Sequence, residues 1–291
     1  MAMNRLIVVP WRAMTNSQGS SMQTTENGIT VGYADEGRGV PLLFVHGFPL
    51  SRGAWRKQLD AFRSSYRVVA PDLRGFGESD AGTGATTMAQ FSEDLHALLQ
   101  QRTTGPVVLI GHSMGGYVAL AFARQYPEMV RGLVLVSTKA GPDTAAAAAA
   151  RRATAEKVRA EGVQVVIQAM SSKMLAADNP DRALAEQVRG FMATSKPAGV
   201  IGALLGMAER PDATAQLARI SVPTLVITGA DDLLIPPAES DALARAIPGS
   251  QLNIIPHAGH LVAFEQPDKF NHVLEEWLDR AAFAVPAHEL R

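Results

Sequence analysis

The chain has 291 residues, of which 47% are hydrophobic and 19% are charged, and its net charge at pH 7 is −1. This composition supports a large buried core and excludes global disorder. The near-zero charge provides no sequence-wide basic field for nucleic acid or anionic lipid. The absence of cysteine excludes disulfides, thiolate metal sites and a cysteine nucleophile. We therefore expect a globular protein with no nucleic-acid or membrane partner.

Residues 1–21 are expected to form a poorly ordered N-terminal extension, because they end in a polar run over residues 15–21. The apolar stretch at residues 6–9 stops at Pro10 and is too short for a secretory signal or a membrane span. A cytoplasmic location is the default expectation.

Short apolar runs alternate with helical patterns along most of the chain, which predicts an α/β fold with a mostly parallel, doubly wound sheet. Residues 24–35 are predicted to form an antiparallel hairpin, with Asn27 and Gly28 at its turn. The further predicted strands are residues 41–45, 67–70, 107–110, 132–136, 222–228 and 251–255.

The alternation stops between Lys139 and Arg219, where helical segments are separated only by glycine and proline. This pattern predicts a helical cap, residues 139–219, inserted into a core of residues 22–138 and 220–291. Some apolar cap residues are candidates for lining a deformable substrate pocket. The alternative is that they pack the cap onto the core, and both can hold at once. These candidates are Met170, Met174, Phe191 and Met207.

The apolar run at residues 107–110 ends at a glycine, and a helical pattern begins just after Ser113. Gly111 and Gly115 stand two residues on either side of Ser113, which is the G-x-S-x-G spacing of a strained strand-to-helix turn. Such a turn holds a nucleophile clear of the sheet and at a helix N-terminus. Ser113 is therefore the candidate nucleophile, and the alternative is a glycine-rich turn with an incidental serine.

A second loop of chemical interest follows the predicted strand at residues 41–45. The backbone N–H groups of Phe48 and Met114 are predicted to stabilise a developing oxyanion. His46 is expected to satisfy backbone groups of the loop rather than to act as a base. Asp72 is expected to pair with Arg74 and brace a neighbouring turn, and a catalytic Asp72 is the less favoured alternative.

A serine hydroxyl needs a neutral imidazole to accept its proton, and the imidazole needs a carboxylate to orient it. Candidates for both follow late strands, and the carboxyl ends of parallel strands lie at one edge of a sheet. We favour His260 over His257 as the base, because a glycine immediately before His260 permits close approach. We favour Asp232 as the acid, with Asp231 as the runner-up. This chemistry requires no metal or organic cofactor.

Five motifs in this order resemble the α/β-hydrolase superfamily, and they lie at residues 46–49, 72–79, 111–116, 229–232 and 259–260. The resemblance covers residues 24–277. It implies a catalytic triad of Ser113, Asp232 and His260, with Phe48 and Met114 as oxyanion donors. The pattern is similar to single-lid carboxylesterases, enol-lactonases, C–C bond hydrolases and cofactor-free perhydrolases. Dehalogenases and epoxide hydrolases carry aspartate at the position of Ser113.

The predicted function is therefore hydrolysis of small-molecule carboxylic esters, with small to medium acyl chains, through an acyl-enzyme. The alternatives are an enol-lactonase or C–C bond hydrolase of aromatic degradation, a haloperoxidase-like perhydrolase, and a non-catalytic small-molecule receptor. Lactone and C–C substrates often carry a carboxylate, so a pocket-facing cap arginine would favour them. The candidate arginines are Arg151, Arg152, Arg159 and Arg189.

Overall fold

Eight strands form one sheet in the computed structural model, which describes residues 22–26, 28–102 and 105–283. The predicted extension at residues 1–21 and Asn27 of the predicted hairpin turn lie outside the described residues. The strands are β1 (Met22–Glu26), β2 (Ile29–Glu36), β3 (Pro41–Val45), β4 (Arg67–Pro71), β5 (Val107–His112), β6 (Val130–Val136), β7 (Thr224–Gly229) and β8 (Gln251–Ile255).

The strand order is β1-β2-β4-β3-β5-β6-β7-β8. Strands β1 and β2 pair antiparallel with each other, and β2 also pairs antiparallel with β4. All pairs from β4 to β8 are parallel. The mostly parallel sheet predicted from the sequence is confirmed.

Helices lie between successive parallel strands in the chain, in agreement with the predicted alternation of strands and helices. The α-helices are α1 (Arg56–Phe62), α2 (Met88–Arg102), α3 (Met114–Gln125), α4 (Ala145–Glu161), α5 (Gln164–Met170), α6 (Arg182–Ala193), α7 (Pro197–Ala208), α8 (Pro237–Ala246), α9 (Val262–Glu265) and α10 (Pro267–Arg280).

Successive residues of the central strands belong to different hydrophobic clusters. In β3, Leu43 and Val45 pack into one cluster, whereas Leu42 and Phe44 pack into the other. Side chains of a strand alternate between the two faces of a sheet, so both faces are covered. This explains why the central strands are apolar at every position rather than at every second one.

The described elements between β6 and β7 are all helical, namely α4 to α7 and two short 3₁₀ turns. Helix α7 lies directly on the loop that follows β4, because Gly75 and Gly199 have no side chains to separate their backbones. The Lys196 amide donates to the Gly75 carbonyl (3.1 Å), and the Thr86 amide donates to the Gly202 carbonyl (2.9 Å). Backbone contacts therefore join this part of the cap to the core.

No single helix of the described ranges has both the length and the apolar character needed to cross a membrane. Helices α6 and α7, which meet at 91°, pass that test of length and composition only when they are taken together.

The contact between Gly75 and Gly199 provides a test of cap docking. Gly75→Ala should lower the free energy of unfolding by about 1 to 3 kcal/mol more than Gly84→Ala. Both glycines have a positive φ (85° and 77°), so both variants share the backbone penalty. Only a Cβ at residue 75 meets the α7 backbone, whereas a Cβ at residue 84 meets nothing within 4 Å. Urea denaturation measures both values, and equal losses would contradict this account of docking.

Candidate active site

The backbone turns sharply at Ser113, between β5 and α3. Its φ of 53° and ψ of −115° lie in a region that residues with a side chain rarely occupy. A Cβ at Gly111 would collide with the carbonyl of Gly115, and a Cβ at Gly115 would collide with the carbonyl of Val45. The two glycines of the G-x-S-x-G pattern therefore permit the close packing that the sequence predicted.

Strand β6 and the residues after it hold this turn in place. The Ser113 amide donates to the Val136 carbonyl (2.9 Å), and the hydroxyl of Thr138 donates to the Ser113 carbonyl (2.8 Å). The Ser113 carbonyl also accepts from the Gly116 amide of α3 (2.8 Å). The strained residue is thus fixed from both sides.

The loop after β3 lies against the same turn. A Cβ at Gly47 would lie 3.0 Å from the Ser113 Cβ and 2.6 Å from Nδ1 of His112. Phe48, whose N–H is a predicted oxyanion donor, is therefore one residue from this contact. In the described residues, the amides of Phe48 and Met114 have no hydrogen-bond partner within the protein.

His46 is buried and satisfies loop backbone, as the sequence predicted. Its Nε2 accepts from the Leu73 amide (2.9 Å), and its Nδ1–H donates to the Gly47 carbonyl (2.9 Å). Burial lowers the pKa of His46, so the imidazole stays neutral. Both nitrogens are engaged, which leaves this histidine without a free acceptor for a proton.

His260 and Asp232 meet at the carboxyl ends of the late strands. Nδ1 of His260 donates to a carboxylate oxygen of Asp232 (2.8 Å), and both side chains are buried. The other carboxylate oxygen accepts from the amides of Leu234 and Ile235 (both 2.9 Å). Burial alone would raise the pKa of Asp232, but these hydrogen bonds and His260 bring it below its usual value. The carboxylate is therefore ionised at neutral pH.

The residues that the sequence ranked second lie elsewhere. Asp231 is exposed, and the carboxylate that accepts the hydrogen bond of the His260 imidazole is that of Asp232. His257 is also exposed, and its carbonyl accepts from the side chain of Gln266 (2.8 Å).

His112, the residue before Ser113, connects the turn to His260, the predicted base. Its Nε2–H donates to the carbonyl of His260 (2.9 Å), and the two rings lie 4.8 Å apart between centroids. Burial, together with His260, lowers the pKa of His112 to about 3. The ring is therefore neutral, and because a carbonyl can only accept, the proton is on Nε2. His112 was not among the residues predicted from the sequence, although its place inside the G-x-S-x-G pattern puts it next to Ser113.

The expected pair between Asp72 and Arg74 is wrong. Asp72 forms a buried ion pair with Arg52 and also accepts from the amides of Arg52 (2.7 Å) and Glu78 (2.9 Å). Arg74 instead forms a bidentate ion pair with Asp94 of α2 (2.6 and 2.8 Å). The reason is that the carboxylate of Asp72 faces inward beneath the loop, whereas Arg74 reaches outward to the helix. Asp72 still braces the loop, through a different partner.

Two of the apolar cap candidates lie next to the active-site loops. The carbonyl of Met174 accepts from the amide of Leu261 (2.8 Å), which follows His260. The ring of Phe191 packs edge-on against Phe264 (5.3 Å between centroids). All four candidates belong to, or pack against, the buried cluster that contains Phe48 and Met114, and the other two are Met170 and Met207. A role for these residues in lining a substrate pocket remains a prediction.

The four candidate arginines of the cap are paired near their own helices or exposed. The pairs are Arg151 with Asp143, Arg159 with Glu156, and Arg189 with Glu186 (3.2 Å). The side chain of Arg152 is exposed.

Metal ligands are not grouped in the part of the chain that the structure describes. Within it, no three His, Asp or Glu side chains are arranged so that they could hold a metal ion.

Comparison with known proteins places this geometry in a family. A family model described as the alpha/beta hydrolase fold matches residues 40–267. The chain belongs to the α/β-hydrolase fold family. Its structure is similar to that of a thermophilic esterase from Thermogutta terrifontis, with a TM-score of 0.85 and 42% identity, over 91% of this chain and 99% of the esterase.

Two relatives of this α/β-hydrolase resemble it along most of their length. 3-Oxoadipate enol-lactonase 2 of Acinetobacter baylyi (strain ATCC 33305 / BD413 / ADP1) is 30% identical, over 87% of this chain and 93% of the enol-lactonase. A Bacillus subtilis (strain 168) protein is 32% identical, over 88% of this chain and 97% of its own. That protein is provisionally named 2-succinyl-6-hydroxy-2,4-cyclohexadiene-1-carboxylate synthase.

The low pKa of His112 makes stability depend on pH. In the unfolded chain this histidine takes up a proton near its ordinary pKa of 6.5, whereas in the folded protein it does so only near pH 3. Between these values the unfolded state binds more protons, so the free energy of unfolding decreases as the pH falls. The contribution reaches about 1.4 kcal/mol per pH unit. His112→Asn should therefore reduce the slope of stability against pH between about pH 6 and 4.

Urea denaturation at several pH values in this range measures the slope. His272→Asn, which removes an exposed histidine of α10, provides the comparison. A slope in His112→Asn equal to that of the wild type would contradict a buried neutral His112.

Proposed function

We propose that this chain is a serine hydrolase that cleaves small-molecule carboxylic esters through an acyl-enzyme. The observations that carry the proposal are the buried hydrogen bond between His260 and Asp232 and the strained backbone of Ser113. The family and the 42% identical esterase support the same reaction. The expected partner is the ester substrate alone, with no nucleic acid or membrane, and the expected location is the cytoplasm.

In the proposed mechanism, Ser113 attacks the ester carbonyl while Nε2 of His260 accepts the hydroxyl proton. Asp232 holds the proton of Nδ1 and stabilises the imidazolium that forms. The N–H groups of Phe48 and Met114 donate to the oxyanion of the tetrahedral intermediate. Loss of one such donor typically raises the barrier by about 3 to 4 kcal/mol. His260 then returns its proton to the leaving alcohol and activates water to release the acid.

The pairing and exposure of the four candidate cap arginines support uncharged acyl groups as substrates. A carboxylate on the substrate needs a buried cation to offset its desolvation. Three of the four candidate cap arginines are paired with acidic residues, and the fourth is exposed. We therefore favour simple esters over carboxylate-bearing lactones or C–C substrates. Because of the enol-lactonase relative, hydrolytic opening of a lactone ring is the second candidate function. Ester hydrolysis and lactone hydrolysis proceed through the same acyl-enzyme steps.

Ser113→Ala tests the nucleophile. The wild type should hydrolyse p-nitrophenyl butyrate and become labelled at Ser113 by an organophosphonate, whereas the variant should do neither. In the wild type, kcat/KM for the butyrate should exceed that for a carboxylate-bearing enol-lactone. Mass spectrometry of the labelled protein locates the modification. A label on the variant, or none on the wild type, would exclude the proposed nucleophile, and a preference for the lactone would favour the second candidate.

The adjacent aspartates provide a matched pair for the acid. Asp232→Asn should lower kcat for p-nitrophenyl butyrate by about three to four orders of magnitude, because an amide favours the wrong imidazole tautomer. Asp231→Asn changes an exposed neighbour and should leave kcat within about twofold. Circular dichroism confirms that both variants are folded. The opposite ranking of the two variants would assign the acid to Asp231.

A further inference from the structure

Three polar backbone groups around His260 are each held by a different part of the chain. The Gly259 amide donates to Oε2 of Glu265 in α9 (2.7 Å). The His260 carbonyl accepts from His112 (2.9 Å), and the Leu261 amide donates to the Met174 carbonyl of the cap (2.8 Å). The position of the imidazole therefore depends on contacts beyond its hydrogen bond to Asp232.

Glu265 also binds the cap directly. The Ala176 amide donates to both of its carboxylate oxygens (3.0 and 3.2 Å), and the side-chain amide of Asn179 donates to Oε1 (2.6 Å). We refer to residues 174–179 as the cap segment and to residues 256–261 as the histidine loop. One carboxylate thus accepts from neutral N–H groups of both, and such charge-assisted hydrogen bonds are stronger than those between neutral groups.

The cap segment and the histidine loop are also in direct backbone contact. A Cβ at Gly259 would collide with the backbone of Leu175 and Ala176. Glycine at this position therefore lets the cap segment approach the residue next to the base. Glu265 lies where these two backbones meet, and it satisfies an amide of each.

Both oxygens of this carboxylate are needed, because Oε2 faces the histidine loop and Oε1 faces Asn179. In a glutamine at this position, one oxygen would become an NH₂ group that opposes an N–H donor. The substitution preserves size and shape but breaks one side of the connection, so it tests the hydrogen bonds rather than the packing.

We propose that Glu265 is a positioning residue that couples the placement of His260 to the docking of the cap segment. This proposal depends on the proposed function in one respect, namely that His260 is the general base. Glu265 touches no reacting atom in this scheme. It acts on the position of His260 through two contacts. One is its hydrogen bond from the Gly259 amide, and the other is the cap segment, whose Met174 carbonyl accepts from the Leu261 amide.

Glu265→Gln should lower kcat for p-nitrophenyl butyrate by about 10- to 100-fold, because displacement of a catalytic group by about 1 Å costs about 100-fold. KM should change by less than about threefold, and organophosphonate labelling should slow in proportion to kcat. Asn179→Ala removes only one donor from the cap and should give a smaller decrease in kcat. Gln266→Ala is the matched control, since it releases only the exposed carbonyl of His257 and should retain the wild-type kcat.

Proton NMR provides a readout that does not depend on ester hydrolysis. The Nδ1–H of His260, hydrogen-bonded to Asp232, should give a downfield signal in the wild type and in Gln266→Ala. In Glu265→Gln this signal should broaden or shift, and in Asn179→Ala it should change less. If the wild type hydrolyses no ester, the proposed function fails, while the NMR comparison still tests positioning.

Wild-type kcat and an unchanged signal in Glu265→Gln would overturn the proposal. An equal loss in Gln266→Ala would also overturn it, because general loosening of the histidine loop would then explain both results. If Glu265→Gln fails to fold, Asn179→Ala provides the test. A wild-type kcat and an unchanged NMR signal of the His260 Nδ1–H in Asn179→Ala would exclude coupling to the cap.

Discussion

The active site depends on the backbone of Ser113, which stays at a φ of 53° only because its surroundings hold it there. Such a conformation costs about 1 to 3 kcal/mol in isolation. Hydrogen bonds from the end of β6 and the close approach of Gly115 to β3 oppose relaxation. The same close approach brings the Gly47 loop against the serine, so the contact that maintains the strain also places the predicted oxyanion donors.

Three buried histidines lie near this turn, and the hydrogen bonds of each one determine whether it can act as a general base. His46 and His112 each use ring nitrogens on backbone groups, and burial lowers the pKa of both. Each is thus a neutral structural element at physiological pH. His260 alone has a carboxylate on Nδ1. An aspartate on one nitrogen leaves the other as a proton acceptor, which is the arrangement that a general base requires.

Local patterns were sufficient to predict most of the fold. Helix α3 begins directly after Ser113, as the sequence predicted, because the glycines around the serine mark the turn that precedes it. The choice of Asp232 and His260 as neighbours also followed from local features, since each follows one of the two last predicted strands. Partners distant in sequence were not predictable in this way. Asp72 lies two residues from Arg74, yet its partner is Arg52, because side-chain direction at a turn is not encoded in spacing. The contacts of His112 and Glu265 join segments whose approach depends on the whole fold.

The cap contributes backbone groups, as well as the side-chain amide of Asn179, to the environment of His260. The Met174 carbonyl accepts from Leu261, and the Ala176 amide donates to Glu265. A backbone hydrogen bond survives replacement of the side chain, provided that the chain keeps its path. The side chain of Met174 can therefore be exchanged for another apolar group without loss of this bond to the histidine loop. If cap side chains line a substrate pocket, as we predict, their replacement would change the shape of that pocket while these backbone hydrogen bonds keep His260 in place.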